Sequence, residues 1–253
     1  HRTWPTAAPE TTRALIRSAS VVRANGTTLM SEGERPSRVG LVIRGTVIAT
    51  WSSPDGRTVF AGIYGPGQFM GLATLSGGPL TVGIEAMTAV TILTWDSQQF
   101  RRIAAADPAM MLDLLDRATY AVQALNHSIK LRSFASAKSR LAGLLLRYER
   151  LSFSTERPLI PRGQLSALAG VTPRMVSKIV REWDASGIMR RVGAYGLELL
   201  LREALVDEAA PLEEFPAPGS AQRGSWTEPG DLADLVPDGD AGRTKTPEGT
   251  AGP

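Results

Sequence analysis

The chain contains no cysteine. That absence excludes structural disulfides, zinc held by thiolates and iron–sulfur clusters ligated by cysteine. Histidine occurs only at His1 and His127. No apolar run approaches the roughly 18 residues that a membrane-spanning helix needs, and the opening HRTWPTAAPE lacks the basic-then-apolar pattern of a signal peptide. No Ser/His/Asp set, metal cluster or phosphate-binding loop is visible, and Asp113 and Asp116 read as carboxylates on a solvated helix face. The expectation is a cytoplasmic protein that is not an enzyme, carries no cofactor and does not contact a membrane.

Charge is present but unevenly placed. The net value of +3 hides a segment from Arg132 to Leu205 with 13 basic against six acidic residues, about +7. From Val206 to Pro253 ten acidic residues face three basic ones, about −7. The first is the footprint of a module that binds a polyanion. The second stretch is rich in Pro, Gly, Ala, Asp and Glu and cannot bury enough apolar surface to offset its ordering entropy, so it reads as a disordered tail. Trp226 and the patch from Asp231 to Val236 are its only hints of a docking motif, against the reading of a solvated tail.

Five regions follow in order. Residues 1–20 read as a polar arm with one helical turn around Arg13–Ser18. Residues 21–106 carry short β-type runs between turn signals. Leu41–Ala49 gives two runs around Gly45, Asp55-Gly56 marks a hairpin, and Thr58–Tyr64 is its return strand. The regular glycines suit the corners of a rolled sheet; for Gly71 a ligand-loop reading stands beside that structural one. Ser97 begins a short helix, and Asp107-Pro108 opens a longer one, so residues 107–135 form a long helix and hinge. Along it Met111, Leu115, Ala118, Val122, Leu125 and Ile129 alternate spacings of four and three, a heptad seam of nearly three heptads. The seam reads as a dimer interface, with Leu112 and Leu114 turned toward the chain's own domain; the other reading is a helix lying on its own β unit. Ser136 caps the next helix and begins the last folded unit, residues 136–205, before the tail at 206–253.

Within that unit Arg162 to Leu197 reads as helix, tight turn, second helix and basic hairpin. Leu165, Leu168 and Ala169 mark the first helix, and Gly170 ends it in a position that favours positive φ. Thr172 is an N-cap and Pro173 suits the first helical position. Val176, Ile179, Val180 and Trp183 form the buried stripe of the second helix, leaving Arg174, Ser177, Lys178 and Arg181 on other faces. A helix so arranged can enter a major groove and reach base edges and phosphates. A helical hairpin with solvated basic residues is the simpler alternative, but the basic wing carrying Arg190 and Arg191, with its Gly193-Ala194-Tyr195-Gly196 turn, favours a winged helix-turn-helix.

The order and spacing of these pieces over roughly Val21 to Leu201 resemble the cAMP receptor protein/FNR family of bacterial transcription regulators. The resemblance is carried by Leu41-Val42-Ile43-Arg44-Gly45-Thr46-Val47, by Gly65-Pro66-Gly67-Gln68-Phe69-Met70-Gly71 and by Gly170-Val171-Thr172-Pro173-Arg174-Met175-Val176-Ser177-Lys178. It implies an α+β fold with a cyclic-nucleotide-binding-like β-roll, a long dimerisation helix and a C-terminal winged helix-turn-helix. It further implies a homodimer on double-stranded promoter DNA that contacts RNA polymerase, reading through Thr172, Pro173, Arg174, Ser177, Lys178, Arg181, Arg190 and Arg191.

Departures from the family pattern bear on the signal. The family's ribose-binding glutamate falls at Leu72, and its phosphate-binding arginine falls in Gly78-Pro79-Leu80-Thr81-Val82, which holds no basic residue. A buried phosphate without a cation is costly. The polar pair that meets the purine maps to Leu125 and Asn126. The expected effector pocket of Gly71, Leu72, Ala73, Leu80, Thr81, Leu125 and Asn126 therefore suits an uncharged small molecule rather than cAMP, or no effector. A cyclic-nucleotide response through a divergent phosphate loop is the alternative, as is a sensor module acting through protein contacts rather than DNA. His127 falls off the seam and reads as solvated, not as a haem ligand. At Pro173 and Arg174 the family commonly has arginine and glutamate, so the expected half-site differs from the family's best-known ones.

Overall fold

The computed structural model describes residues 7–153, 158–193 and 196–209. Helix α1 (Pro9–Ser18) opens with proline in its first turn, where a missing N–H is no loss. It is ten residues long, where the sequence suggests one turn within a polar arm. Leu15 is fully buried, and its carbonyl accepts a hydrogen bond from Trp95 Nε1 at 2.8 Å. One buried leucine among threonines and arginines leaves little periodic signal to read.

The strands that follow are β1 (Ser20–Ala24), β2 (Thr28–Met30), β3 (Arg38–Arg44), β4 (Val47–Ser52), β5 (Thr58–Tyr64), β6 (Phe69–Met70), β7 (Gly83–Ala86) and β8 (Val90–Asp96). They form two four-stranded antiparallel sheets, ordered β1-β8-β3-β6 and β2-β7-β4-β5. Successive side chains point to opposite faces of a strand, and β3 and β8 are buried on both. Val39, Leu41, Ile43, Leu93 and Trp95 pack with Phe69, Phe100 and Met110 under the helices. Val42, Val90 and Ile92 pack with Met30, Met70, Leu80 and Ile84 between the sheets. That double burial is why Leu41-Val42-Ile43 is continuously apolar. Strand β5, by contrast, is an edge.

Helix α2 (Ser97–Ala105) leads into α3 (Pro108–Phe134), which is 27 residues long. Asp107 caps α3, accepting from the N–H groups of Ala109 at 3.0 Å and Met110 at 3.2 Å. The same carboxylate accepts from Ala8 N–H at 2.8 Å, which ties the start of α1 to the start of α3. Leu114 packs on the roll, as anticipated, but Leu112 is turned to solvent. Asp113 is not on a solvated face. It is buried and pairs with Arg117 at 2.7 Å, and that guanidinium lies 5.2 Å from the centre of the Phe69 ring. The i,i+4 spacing permitted the pair; only the packing of α3 on β6 buried it.

The last unit comprises α4 (Ala137–Arg147), α5 (Glu149–Ser152), α6 (Arg162–Ala169), α7 (Pro173–Ala185), β9 (Met189–Val192), β10 (Gly196–Leu199) and α8 (Arg202–Glu208). Ser136 caps α4 through Ser139 N–H at 3.1 Å. Leu141, Leu145, Leu165, Val176, Ile179, Trp183, Met189 and Leu197 make its core. Helix α8 carries the folded unit past residue 205, and Lys138 of α4 pairs with its Glu208. The remainder of the acidic stretch, including Trp226 and residues 231–236, lies outside the described residues, as do residues 1–6 and the wing-turn residues Ala194 and Tyr195.

Candidate DNA interface

Helix α6 ends at Gly170, whose φ is +63°. A side chain there would be strained by that angle, and its Cβ would lie 3.0 Å from Arg132 Nε. Two residues later Thr172 accepts a hydrogen bond from Met175 N–H at 3.2 Å and starts α7, with Pro173 in the first turn. Val176, Ile179, Val180 and Trp183 then bury one face completely or nearly so. Burying that stripe forces Thr172, Pro173, Arg174, Ser177, Lys178 and Arg181 outward, and all six are exposed. Met175 joins them at the surface. Sequence reasoning passes over it, because an isolated methionine reads as core by default.

The exposed cations are not equivalent. Arg174 and Arg181 have no ion-pair partner among the described residues. Lys178 lies 3.8 Å from Glu182 one turn on, a loose surface pair. Arg190 on β9 donates through Nε to Glu198 on β10 at 2.9 Å. Arg191 donates through Nε to Asp184 at 2.8 Å, and that hydrogen-bonded guanidinium holds the Asp184 carboxyl below its usual range. Both wing arginines would have to exchange a carboxylate for a phosphate, whereas Arg174 and Arg181 would not. Ser177 Oγ donates back to the Pro173 carbonyl at 3.0 Å, leaving its lone pairs outward.

The unit is fastened to the hinge by Arg140. Its Nε donates to the Ala169 carbonyl at 3.0 Å and one terminal nitrogen to the Gly170 carbonyl at 3.1 Å. The other terminal nitrogen donates to the Ala135 carbonyl at 2.6 Å. One guanidinium thus satisfies carbonyls left open at the C-terminal ends of both α3 and α6, where a positive charge also meets the helix dipoles favourably. Sequence periodicity cannot reveal such a bridge, since its acceptors on α6 are backbone atoms 29 and 30 residues away.

On α3 the seam residues sit in one exposed stripe. Met111, Leu115, Val122, Leu125 and Ile129 are 46–62% exposed, and Ala118 is exposed among them. His127 is half-buried rather than fully solvated.

The residues expected around an effector are not gathered into one pocket of the protomer. Gly71, at φ +71°, precedes the 3-10 turn Leu72–Ser76. A Cβ there would stand 3.1 Å from the Arg38 carbonyl and 3.3 Å from Met30. Leu72 packs toward the cluster under the helices, while Leu80 is buried in the cluster between the sheets. Ala73, Thr81, Leu125 and Asn126 are exposed.

Comparison with known proteins places these units. Residues 21–107 match the cyclic nucleotide-binding domain family, and residues 139–208 match the Crp-like helix-turn-helix domain family. The chain is 25% identical over 175 residues to the CRP-like cAMP-activated global transcriptional regulator of Mycobacterium tuberculosis, covering 66% of this chain and 78% of that protein. Its fold is similar to that of FixK2 from Bradyrhizobium japonicum, with a TM-score of 0.65 at 21% identity, over 77% of this chain and 98% of that one. A transcriptional regulator of the CRP/FNR family from Thermus thermophilus, TTHA1359, gives 0.64 at 21% identity, over 75% and 98%. A sensor roll, a long helix and a Crp-like helix-turn-helix in this order make the chain a member of the cAMP receptor protein/FNR family of DNA-binding transcription regulators.

Proposed function

We propose that this regulator works as a homodimer that reads specific promoter sequences in the cytoplasm and contacts RNA polymerase there. The observation that carries the reading is the pairing of two exposed faces on one chain. The polar face of α7 can enter a major groove, and the apolar stripe of α3 can meet the same stripe of a second copy. Twofold symmetry then sets two reading helices about one duplex turn apart. Arg174 and Lys178 favour guanine edges or phosphates, and no glutamate stands in the first turn of α7 to accept from cytosine.

The signal is an uncharged small molecule, or the regulator acts without one. In support, the cluster that receives Leu80 is aliphatic: Met30, Val42, Met70, Ile84 and Ile92 surround it. A cyclic phosphate would lose its hydration there without gaining a cation. A cyclic-nucleotide response is the second reading, favoured by the domain family that matches residues 21–107.

Binding of the purified chain to genomic promoter fragments across a salt series tests the proposal. Sequence preference with a steep fall of log K against log salt is expected; salt-insensitive binding without preference would overturn it. Native mass spectrometry of protein from its own host reads stoichiometry and any retained ligand together. Calorimetry with cAMP decides between the two signals, tight binding favouring the second.

A further inference from the structure

The sensor and the reader touch at a place that neither the seam nor the hinge explains. Strand β5 lies at the edge of its sheet, so one side of its backbone has no strand partner. Gln164, in the first turn of α6, fills part of that side. Its carboxamide oxygen accepts from Phe60 N–H at 3.0 Å, and its nitrogen donates to the Thr58 carbonyl at 3.2 Å. A primary amide carries the same donor and acceptor as a peptide group, so this side chain stands in for one rung of a β-ladder. The contact has an apolar half as well. Phe60 and Ile63 of β5, with Met87 after β7, pack against the reader's core. Nearby, burial raises the Tyr64 phenol above its ordinary value, with Tyr148 at the end of α4 adding to the effect.

Helix α6 is therefore held at both ends, by Gln164 to the sensor and by Arg140 to the hinge. It packs on α7 through Leu165, Val176 and Ile179 of the shared core, so fixing α6 fixes the reading helix. The reading face remains wholly exposed in this pose. A reader already held in its binding orientation loses less freedom on meeting DNA.

We infer that Gln164 is a positioning residue, which by completing the free edge of β5 holds α7 in its reading pose and couples the roll to the reader directly, alongside the long helix. The inference rests on the DNA-reading function proposed above. Because the chain has no cysteine, spin labels can be placed cleanly at Pro54→Cys on the β4–β5 turn and Ala185→Cys at the end of α7. Labelled full-length chain mixed with excess unlabelled chain reports the distance within one protomer. A narrow distribution is expected with Gln164 and a broad one for Gln164→Ala. Gln164→Glu keeps the acceptor but sets a carboxylate against the Thr58 carbonyl, and it broadens the distribution as well. Promoter affinity of Gln164→Ala falls about three- to tenfold, the value of hydrogen bonds of this kind. Its salt slope stays unchanged, because no phosphate contact is lost. Circular dichroism and the thermal transition confirm that each variant is folded.

A distribution that stays narrow in Gln164→Ala overturns the latch, whatever the DNA does. A broadened distribution with unchanged or tighter DNA binding overturns the claim that the latched pose is the reading pose. Failure of the unsubstituted chain to bind promoter DNA overturns the regulator reading alone, since the distance measurement still reports on the latch.

Discussion

Helices α3 and α7 are both amphipathic, yet they treat their apolar faces in opposite ways. Helix α7 hides Val176, Ile179, Val180 and Trp183 inside its own unit, all at most 3% exposed. Helix α3 leaves Leu115, Val122, Leu125 and Ile129 at 54–62% exposed. Each such side chain is worth roughly 1.5–3 kcal/mol when fully buried, and a contiguous apolar patch of this kind usually marks an interaction site. The difference teaches that α7 is complete within one chain and turns its polar face outward for a ligand. In the proposed homodimer, helix α3 gains its second apolar surface from the other copy.

The largest expected effect comes from breaking the exposed stripe of α3. Leu115→Glu combined with Leu125→Glu places charge in the seam and should yield a folded monomer by sedimentation. Promoter affinity should fall about 10²–10⁴-fold as bivalent attachment is lost. A dimer that survives this change would place its interface elsewhere. Breaking the complete helix should act on stability instead. Trp183→Ala removes a fully buried side chain and should cost about 3–5 kcal/mol in chemical denaturation. Trp183→Phe should be milder than its lost area suggests, because the buried indole N–H has no acceptor among the described residues.

Smaller effects sharpen the outward face. Arg174→Ala should lower discrimination between the best and altered sites by about 1–3 kcal/mol, measured by competition binding. Arg191→Ala should weaken all sequences alike and by less, since Asp184 already holds that guanidinium. Acid should expose the last difference. Asp184 is lowered by Arg191, and Asp107 is lowered by Ala8 N–H and Thr11. A lowered folded-state value means the contribution is complete above the ordinary aspartate value of about 3.9 and is lost as pH falls through the lowered one. Thermal transitions should be flat from about pH 5 upward and decline below about pH 4. Asp184→Asn and Asp107→Asn should each flatten part of that decline.

Much of the reading unit was legible because its signals are local. Gly170, Thr172 and Pro173 act within one turn of the chain, so their chemistry can be recognised without knowing what lies opposite. The two runs around Gly45, the helix start at Asp107-Pro108 and the restart at Ser136 were legible for the same reason. Other features were not. Asp113 looked solvated because its burial depends on Phe69 and the roll beneath α3, while Leu112 looked inward because periodicity shows a stripe but not its partner. The ion pairs of the wing arginines were not legible because Glu198 and Asp184 reach them only after the hairpin closes and docks on α7.

By itself, then, the sequence determined the order of units, the start of α3, the turn between α6 and α7 and the split of α7 into apolar and polar faces. Backbone dihedral preference and side-chain period act over a few residues, and the chain order alone expresses them. Tertiary structure alone decided which carboxylates are spent on arginines, that Arg140 spans two helix ends and that Gln164 closes the edge of β5. The bonds from Arg140 to α6 and from Gln164 to β5 join atoms 29 to 106 residues apart. They exist because apolar burial brings the elements together, and buried or edge-strand backbone groups then require partners that no local pattern encodes.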